Sequence, residues 1–191
     1  MKKVLYSAIV LLLGSFALMS CENESLDNEK PVITVIEPME DEIVMPGSTV
    51  HFEVRFTDNV ALGSYKVDIH GAFDGHTHST AVNGAIRIDQ TVSSDYGVEK
   101  YDIRTRQATD SVAFEKTWME SDFIALGEMP IAGKKQADVA HQHIVIPADV
   151  NGKPLREGHY HFIVYSTDQA GQESFVAHEI FISYNPGEHQ H

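Results

Sequence analysis

The pattern that most constrains this chain is an alternation of apolar and polar residues with a period of two. It is clearest in residues 50–56, where Val and Phe alternate with His, Glu and Arg, and it returns in residues 65–70 and 159–164. A period of two places successive side chains on opposite faces of a strand, so that one face is buried and the other is polar. Turn residues such as Pro46 and Gly47 separate the runs. We therefore predict an all-β fold.

The chain is long enough for one sandwich of two β-sheets, which we place at residues 31–185. The clearest predicted strands are residues 33–35, 50–56, 65–70, 140–147, 159–167 and 174–182. Residues 81–140 are longer than an ordinary connection between strands, and we interpret them as an insertion between the third and fifth strands. Further candidate strands within it are residues 85–88, 101–106 and 111–118.

The N-terminal residues 1–20 have the features of an export signal. Lys2 and Lys3 precede an apolar run, residues 4–19, that is too short for an ordinary membrane-spanning helix. The end of this run, L-M-S-C, resembles the lipobox of bacterial lipoproteins, which implies that Cys21 is lipidated and becomes the first residue of the mature chain. Multiple acyl chains make such an anchor stable. The alternative is a soluble exported protein that keeps Cys21.

Residues 21–30 are polar and acidic and are predicted to form a flexible tether. An acidic run directly after the lipidated Cys resembles the surface-export signal of Bacteroidetes lipoproteins. This resemblance implies an outer-membrane location, and both the periplasmic and the cell-surface side remain open. The membrane would be one partner, through the lipid, and an outer-membrane transporter or another envelope protein is a second candidate partner.

Charge and cysteine content exclude several functions. The formal net charge is −14, and it becomes more negative when Lys2 and Lys3 are removed, so the domain repels nucleic acid and attracts cations. Cys21 is the only Cys. Its lipidation would leave no thiol for a disulfide or a thiolate zinc site. Any bound metal must therefore use nitrogen and oxygen ligands.

Histidine is abundant, with 11 residues, and it recurs in His-x-His pairs. The densest stretch, residues 68–79, contains the candidate metal ligands Asp68, His70, Asp74, His76 and His78. Two imidazoles two residues apart on a strand share one face and can bind one cation. The same spacing recurs in His141 and His143, in His159 and His161, and in His189 and His191 of a predicted disordered tail, residues 186–191.

Three segments, residues 31–38, 46–62 and 157–172, resemble in this order the bacterial immunoglobulin-like modules, whose sixth strand carries G-x-Y and ends in D-x-A-G. The mature chain is also similar to a Bacteroidetes lipoprotein family, the domain of unknown function numbered 4625, with I-H-x-x-F-D-G-H-x-H as the most specific stretch. That family implies no activity. The fold implied is an immunoglobulin-like β-sandwich with an insertion, preceded by a lipoprotein signal peptide.

In an immunoglobulin-like sandwich the third and sixth strands are antiparallel neighbours. This resemblance implies that His70 faces His159 and His161 on the outward face that Asp68 shares. The loop bearing Asp74, His76 and His78 starts there. The fifth strand belongs to the other sheet, so His141 and His143 either reach the same site around an edge or form a second one.

Imidazole with carboxylate and without thiolate suits zinc or copper and disfavours calcium and magnesium. We therefore expect a lipid-anchored protein that binds zinc or copper for buffering, sensing or transfer. One alternative is an adhesion or assembly module whose His residues are incidental. The other is a metal-dependent enzyme. The D-G-H-T-H stretch resembles the D-x-H-x-H of amidohydrolases, but their barrel of about 250 residues fits neither this length nor this periodicity, and we do not expect an enzyme.

Overall fold

The computed structural model describes residues 27–73, 110–185 and 187. Within these residues nearly all the regular secondary structure is β-strand, with one short helix, so the prediction of an all-β fold is confirmed. The elements are β1 (Val32–Glu37), β2 (Glu42–Val44), β3 (Thr49–Thr57), β4 (Leu62–Gly71), β5 (Glu115–Met119), α1 (Glu120–Ala125), β6 (Gln136–Val145), β7 (Asp149–Val150), β8 (Lys153–Pro154), β9 (Gly158–Asp168) and β10 (Glu173–Ile182). None of the described helical residues forms a helix long and apolar enough to cross a membrane.

The strands form two main sheets and one small hairpin. The first sheet has the order β1-β3-β6, the second has the order β2-β10-β9-β4-β5, and β7 pairs with β8. Neighbouring strands are antiparallel, except that β2 runs parallel to β10. The expected adjacency of the third and sixth predicted strands is observed, because β4 and β9 are antiparallel neighbours. The predicted fifth strand, now β6, lies in the other sheet as expected.

The two main sheets face each other across one aromatic core. Phe52 and Phe56 of β3 contact the ring of Tyr65 on β4, with centroid distances of 6.0 Å and 5.1 Å. Phe162 of β9 lies 6.3 Å from Phe52, and Phe123 brings α1 against the same cluster, 5.7 Å from Tyr65. Burying such a side chain contributes about 1.5–3 kcal/mol. This core fixes which face of each strand points outward.

The alternating segments become strands where the sequence predicts them. In β3, Val50, Phe52, Val54 and Phe56 are buried, and the intervening residues point away from the core. The six residues of α1, the three of β2 and the hairpin β7–β8 were not predicted, because elements this short carry no periodicity. Trp118 of the edge strand β5 is buried. The candidate strands at 85–88 and 101–106 lie outside the described residues.

Candidate metal centre

The outward face of β4 presents Asp68 and His70, since Val67 and Ile69 point into the core. Asp68 Oδ1 lies 2.5 Å from His70 Nδ1. The other carboxylate oxygen accepts a hydrogen bond of 2.7 Å from the Thr117 hydroxyl on β5. A carboxylate that accepts from Nδ1–H fixes the tautomer of the imidazole and leaves Nε2 with its lone pair. Asp68 thus prepares His70 as a ligand through Nε2.

His161 of β9 lies directly opposite His70 in the register of the sheet. The two rings are nearly perpendicular, and His70 Nε2 is 3.4 Å from His161 Nδ1. Two nitrogens bound to one tetrahedral zinc at 2.0–2.1 Å are separated by about 3.3 Å. The two imidazoles therefore already have the spacing of a pair of zinc ligands. Without a metal, the same contact is a hydrogen bond from His161 Nδ1–H to His70 Nε2.

Glu179 of β10 extends this arrangement across the sheet. Its Oε1 lies 3.7 Å from His161 Nε2, and its Oε2 lies 3.0 Å from His159 Nδ1. Asp41, in the turn before β2, is 3.9 Å from His159 Nδ1. One ligand atom each from Asp41, His159 and Glu179 lies within 4.8 Å of the other two. These three residues form a second potential set of metal ligands that shares Glu179 with the His70–His161 pair.

We call this row of side chains the outer strip. It comprises Thr117, Asp68, His70, His161, Glu179, His159 and Asp41. Its middle and its Asp41 end differ in burial, because His161 is 3% exposed, whereas the side chains of His159 and Asp41 are about half exposed, at 51% and 57%. His161 lies on the outward face, where sequence reasoning expected an exposed residue. Ile163 on the same face is also fully buried, so pointing away from the core does not mean contact with solvent here.

The structure brings together four of the predicted ligands, Asp68, His70, His159 and His161. The other predicted ligands, Asp74, His76 and His78, and the lipidation residue Cys21, lie outside the described residues, as do His189 and His191. Sequence reasoning missed Glu179, Asp41 and Thr117. Glu179 could have been found only from the pairing of β9 with β10, in which it stands opposite His161.

The pair His141 and His143 lies on β6, in the other sheet. His141 is 7% exposed and packs between Phe52 and Phe123, with ring centroids 4.9 Å and 4.3 Å away. Burial lowers the pKa of His141 to about 4, against a smaller opposing effect of Glu128. His143 instead contacts Glu128, with 3.0 Å between Nε2 and Oε1. His141 thus faces the core, the side chain of His143 is 33% exposed beside Glu128, and neither joins the outer strip.

Two further His residues have separate roles. His51 is exposed on β3, and neither ring nitrogen has a hydrogen bond or ion pair with another described residue. His178 lies 3.0 Å from the Pro38 carbonyl oxygen through Nδ1, which ties β10 to the turn after β1. His178 is thus a structural residue, and His51 is a suitable control for metal binding.

Comparison with protein-family models gives a match to Domain of unknown function (DUF4625) over residues 19–183. The matched range includes every residue of the outer strip. Comparison with curated proteins gives no match. The description of the family names no activity, so the match identifies the family and leaves the function to be argued from the site. The chain belongs to the DUF4625 family.

Proposed function

We propose that this protein is a lipid-anchored protein of the cell envelope that binds zinc or copper through the outer strip. The observation that carries the proposal is the 3.4 Å separation of His70 Nε2 and His161 Nδ1, with Asp68 holding the far side of the His70 ring. A metal-binding His characteristically donates its second ring N–H to a carboxylate or carbonyl. His70 and Asp68 have this relationship.

The chemistry of each ligand follows from its neighbours. His70 would bind through Nε2 and keep its Nδ1 proton on Asp68. His161 would bind through Nδ1, which requires its remaining proton to move to Nε2, the nitrogen that faces Glu179 Oε1 at 3.7 Å. Binding would therefore draw Glu179 toward His161. Asp74, His76 and His78, in a loop predicted from the sequence, are the candidates for the remaining ligands of the same cation.

The exposed end of the strip supports a role in buffering or transfer. His159, Glu179 and Asp41 form a set of ligands near solvent, whereas His161 is buried. Glu179 contacts both His159 and His161. A cation captured by the exposed set could therefore pass to the buried imidazoles by exchange of one carboxylate. Uptake and release need no substrate turnover, and we propose a binding protein and not an enzyme.

The proposed fold is an immunoglobulin-like sandwich with an insertion between its third and fifth strands, preceded by a lipoprotein signal peptide. The sheet orders β1-β3-β6 and β2-β10-β9-β4-β5 support this proposal. The proposed location is the outer membrane, with an outer-membrane transporter or another envelope protein receiving the metal. Cys21→Ala should move the protein from the membrane to the soluble fraction. Unchanged fractionation would contradict lipid anchoring.

The experiment that tests metal binding is elemental analysis of the full-length protein purified without a His tag, followed by titration with Zn²⁺ and Cu²⁺. We expect a stoichiometric site with either metal that survives extensive dialysis. Weak, non-stoichiometric uptake would indicate scattered surface ligands. In that case an adhesion or assembly module with incidental His residues becomes the better account.

A further inference from the structure

A second cluster of potential ligands lies where three segments meet, away from the outer strip. Asp27 belongs to the predicted tether, Asp58 follows β3, and Asp168 ends β9. One carboxylate oxygen of each lies within 4.8 Å of the other two. Among the described residues, no Lys, Arg or His side chain forms an ion pair with any of these three aspartates. Three negative charges therefore converge without a compensating side-chain cation in the described part of the chain.

The hydrogen bonding of the Asp58 carboxylate indicates a bound ligand. Its Oδ1 accepts hydrogen bonds from the backbone N–H groups of Val60 and Ala61, at 2.8 Å and 2.6 Å. Its Oδ2 is buried and has no hydrogen-bond partner. A buried carboxylate oxygen without a partner is costly, and such atoms are rare in folded proteins. A cation that this oxygen helped to bind would satisfy it and would offset most of the repulsion among the three carboxylates.

Asp168 is the most buried member, with 3% of its surface exposed. Its two oxygens accept from the backbone N–H and the side-chain amide of Gln172, at 2.8 Å and 3.1 Å. The same amide nitrogen also contacts the backbone carbonyl oxygens of Asp27 and Glu29, at 3.3 Å and 3.1 Å. Two further oxygens of the tether thus lie next to the aspartates. The potential ligand atoms of this cluster are therefore carboxylate and carbonyl oxygens, with no imidazole nitrogen.

Donor type decides the class of cation. Calcium takes six to eight oxygen ligands in a flexible geometry, from carboxylates, backbone carbonyls and water. Magnesium demands a near-ideal octahedron and gives up its water reluctantly, and zinc and copper prefer imidazole. We propose that Asp27, Asp58 and Asp168 bind a calcium ion that fastens the tether to the end of the sandwich. This proposal does not depend on the zinc or copper site.

The proposed consequence concerns the lipid anchor. The predicted tether runs from residue 21 to residue 30, and its residues 27–30 lie next to β9 and β10 through the contacts of Gln172. A cation bound by Asp27 would hold the tether to the sandwich from residue 27 onward. Calcium would then restrict how far, and in which directions, the domain moves from the membrane. Affinities of about 0.1–1 mM are typical of extracellular calcium modules.

The test uses the detergent-solubilised full-length protein, stripped with EGTA and titrated with CaCl₂ and, separately, MgCl₂. We expect one calcium ion to bind, with magnesium at least tenfold weaker, and amide hydrogen exchange of residues 27–30 to slow on calcium addition. Asp27→Asn should weaken calcium binding at least tenfold and remove the slowing. Asp27 lies outside the strands, so this variant leaves the core intact. Asp58→Asn, a second conservative change, should also weaken binding.

The matched control is Asp149→Asn, at an exposed aspartate of β7 that belongs to neither cluster and whose Oδ1, like that of Asp58, accepts a backbone N–H, from Gly152 at 2.9 Å. It should leave calcium affinity unchanged. The proposal is overturned if calcium does not bind, if magnesium binds equally well, or if Asp27→Asn binds calcium like the wild type. Because zinc and copper titrations address other residues, failure here leaves the outer strip unaffected, and failure there leaves the calcium site unaffected.

Discussion

Two His-x-His pairs with the same spacing have opposite surroundings in this protein. His159 and His161 on β9 point away from the core and meet carboxylates and a third imidazole. On β6, His141 points into the core and stacks on phenylalanine rings. Spacing places two rings on one face of a strand, but the sheet decides what that face contacts. A pair becomes a candidate ligand set only where neighbouring strands bring further donors.

The comparison also separates two effects of burial. His161 is buried beside polar partners, so its ring nitrogens remain paired through His70 and Glu179. His141 is buried among aromatic rings, and its Nε2 has no hydrogen-bond partner. Low polarity strengthens the polar contacts of His161 with His70 and Glu179, whereas it destabilises the charged form of His141. We expect these two imidazoles to respond oppositely to substitution.

The largest expected effect is on metal affinity at the outer strip. His161→Ala removes a ligand, which should weaken zinc or copper binding by more than the roughly 10- to 100-fold typical of a change outside the ligand shell. His143→Ala, in the other pair, should leave affinity nearly unchanged. Calorimetric titration of both variants and of His51→Ala provides the measurement. Equal losses in His161→Ala and His143→Ala would remove the distinction between the two pairs.

The second effect is on acid stability and concerns the core pair. The pKa of His141 in the folded protein is about 4, below the value of about 6.5 for an unperturbed His. As the pH falls below 6.5, His141 takes up a proton in the unfolded chain but stays neutral in the folded chain. The free energy of unfolding is therefore highest above this pH and declines toward pH 4. His141→Phe should therefore stabilise the protein near pH 4 by about 2–4 kcal/mol.

Urea unfolding of the wild type and of His141→Phe at pH 7 and pH 4 measures this difference. At pH 7 the two proteins should be similar, because the substituted ring still packs between Phe52 and Phe123. His51→Phe, at an exposed position, should keep the pH dependence of the wild type. If His141→Phe lost stability between pH 7 and pH 4 as steeply as the wild type does, the acid sensitivity would have to come from other groups.

A smaller loss of metal affinity is expected when the residue that orients a ligand is replaced. Asp68→Ala leaves His70 in place but removes the acceptor that fixes its tautomer, which should weaken metal binding about 10- to 100-fold. Asp138→Ala is the matched control, since Asp138 is an exposed strand aspartate bonded to Arg55 at 2.6 Å. Titration of both variants with zinc is the measurement. No difference between them would mean that Asp68 does not orient the ligand.

The sequence predicts much of this architecture, for reasons visible in particular residues. The alternation of residues 50–56 predicts β3, and the resemblance of residues 157–172 to a sixth strand predicts the pairing that sets His70 against His161. Even the inward position of His141 had a signal, because it continues the alternation of the buried Ala137 and Val139. The apolar–polar pattern counts His as a polar residue, so it does not identify His141 as a core residue.

Other features depend on contacts that no local pattern encodes. Glu179 joins the strip through the β9–β10 register, which sets it opposite His161. Asp41 reaches His159 because its backbone has a φ of 59°, a conformation that Asp tolerates better than most residues, and because its N–H donates to the Glu179 carbonyl at 2.8 Å. The convergence of Asp27, Asp58 and Asp168 joins segments far apart in sequence. Distant pairings of this kind emerge only from the folded chain.

The most direct test of the central claim is nitrogen-15 NMR of the imidazole rings during zinc titration. We predict that His70 binds through Nε2 and keeps its proton on Nδ1, while His161 binds through Nδ1 and keeps its proton on Nε2. The resonances of His141 should remain those of a neutral, unbound ring. Unchanged spectra of His70 and His161 on zinc addition, or equal changes at His141 and His143, would contradict the account.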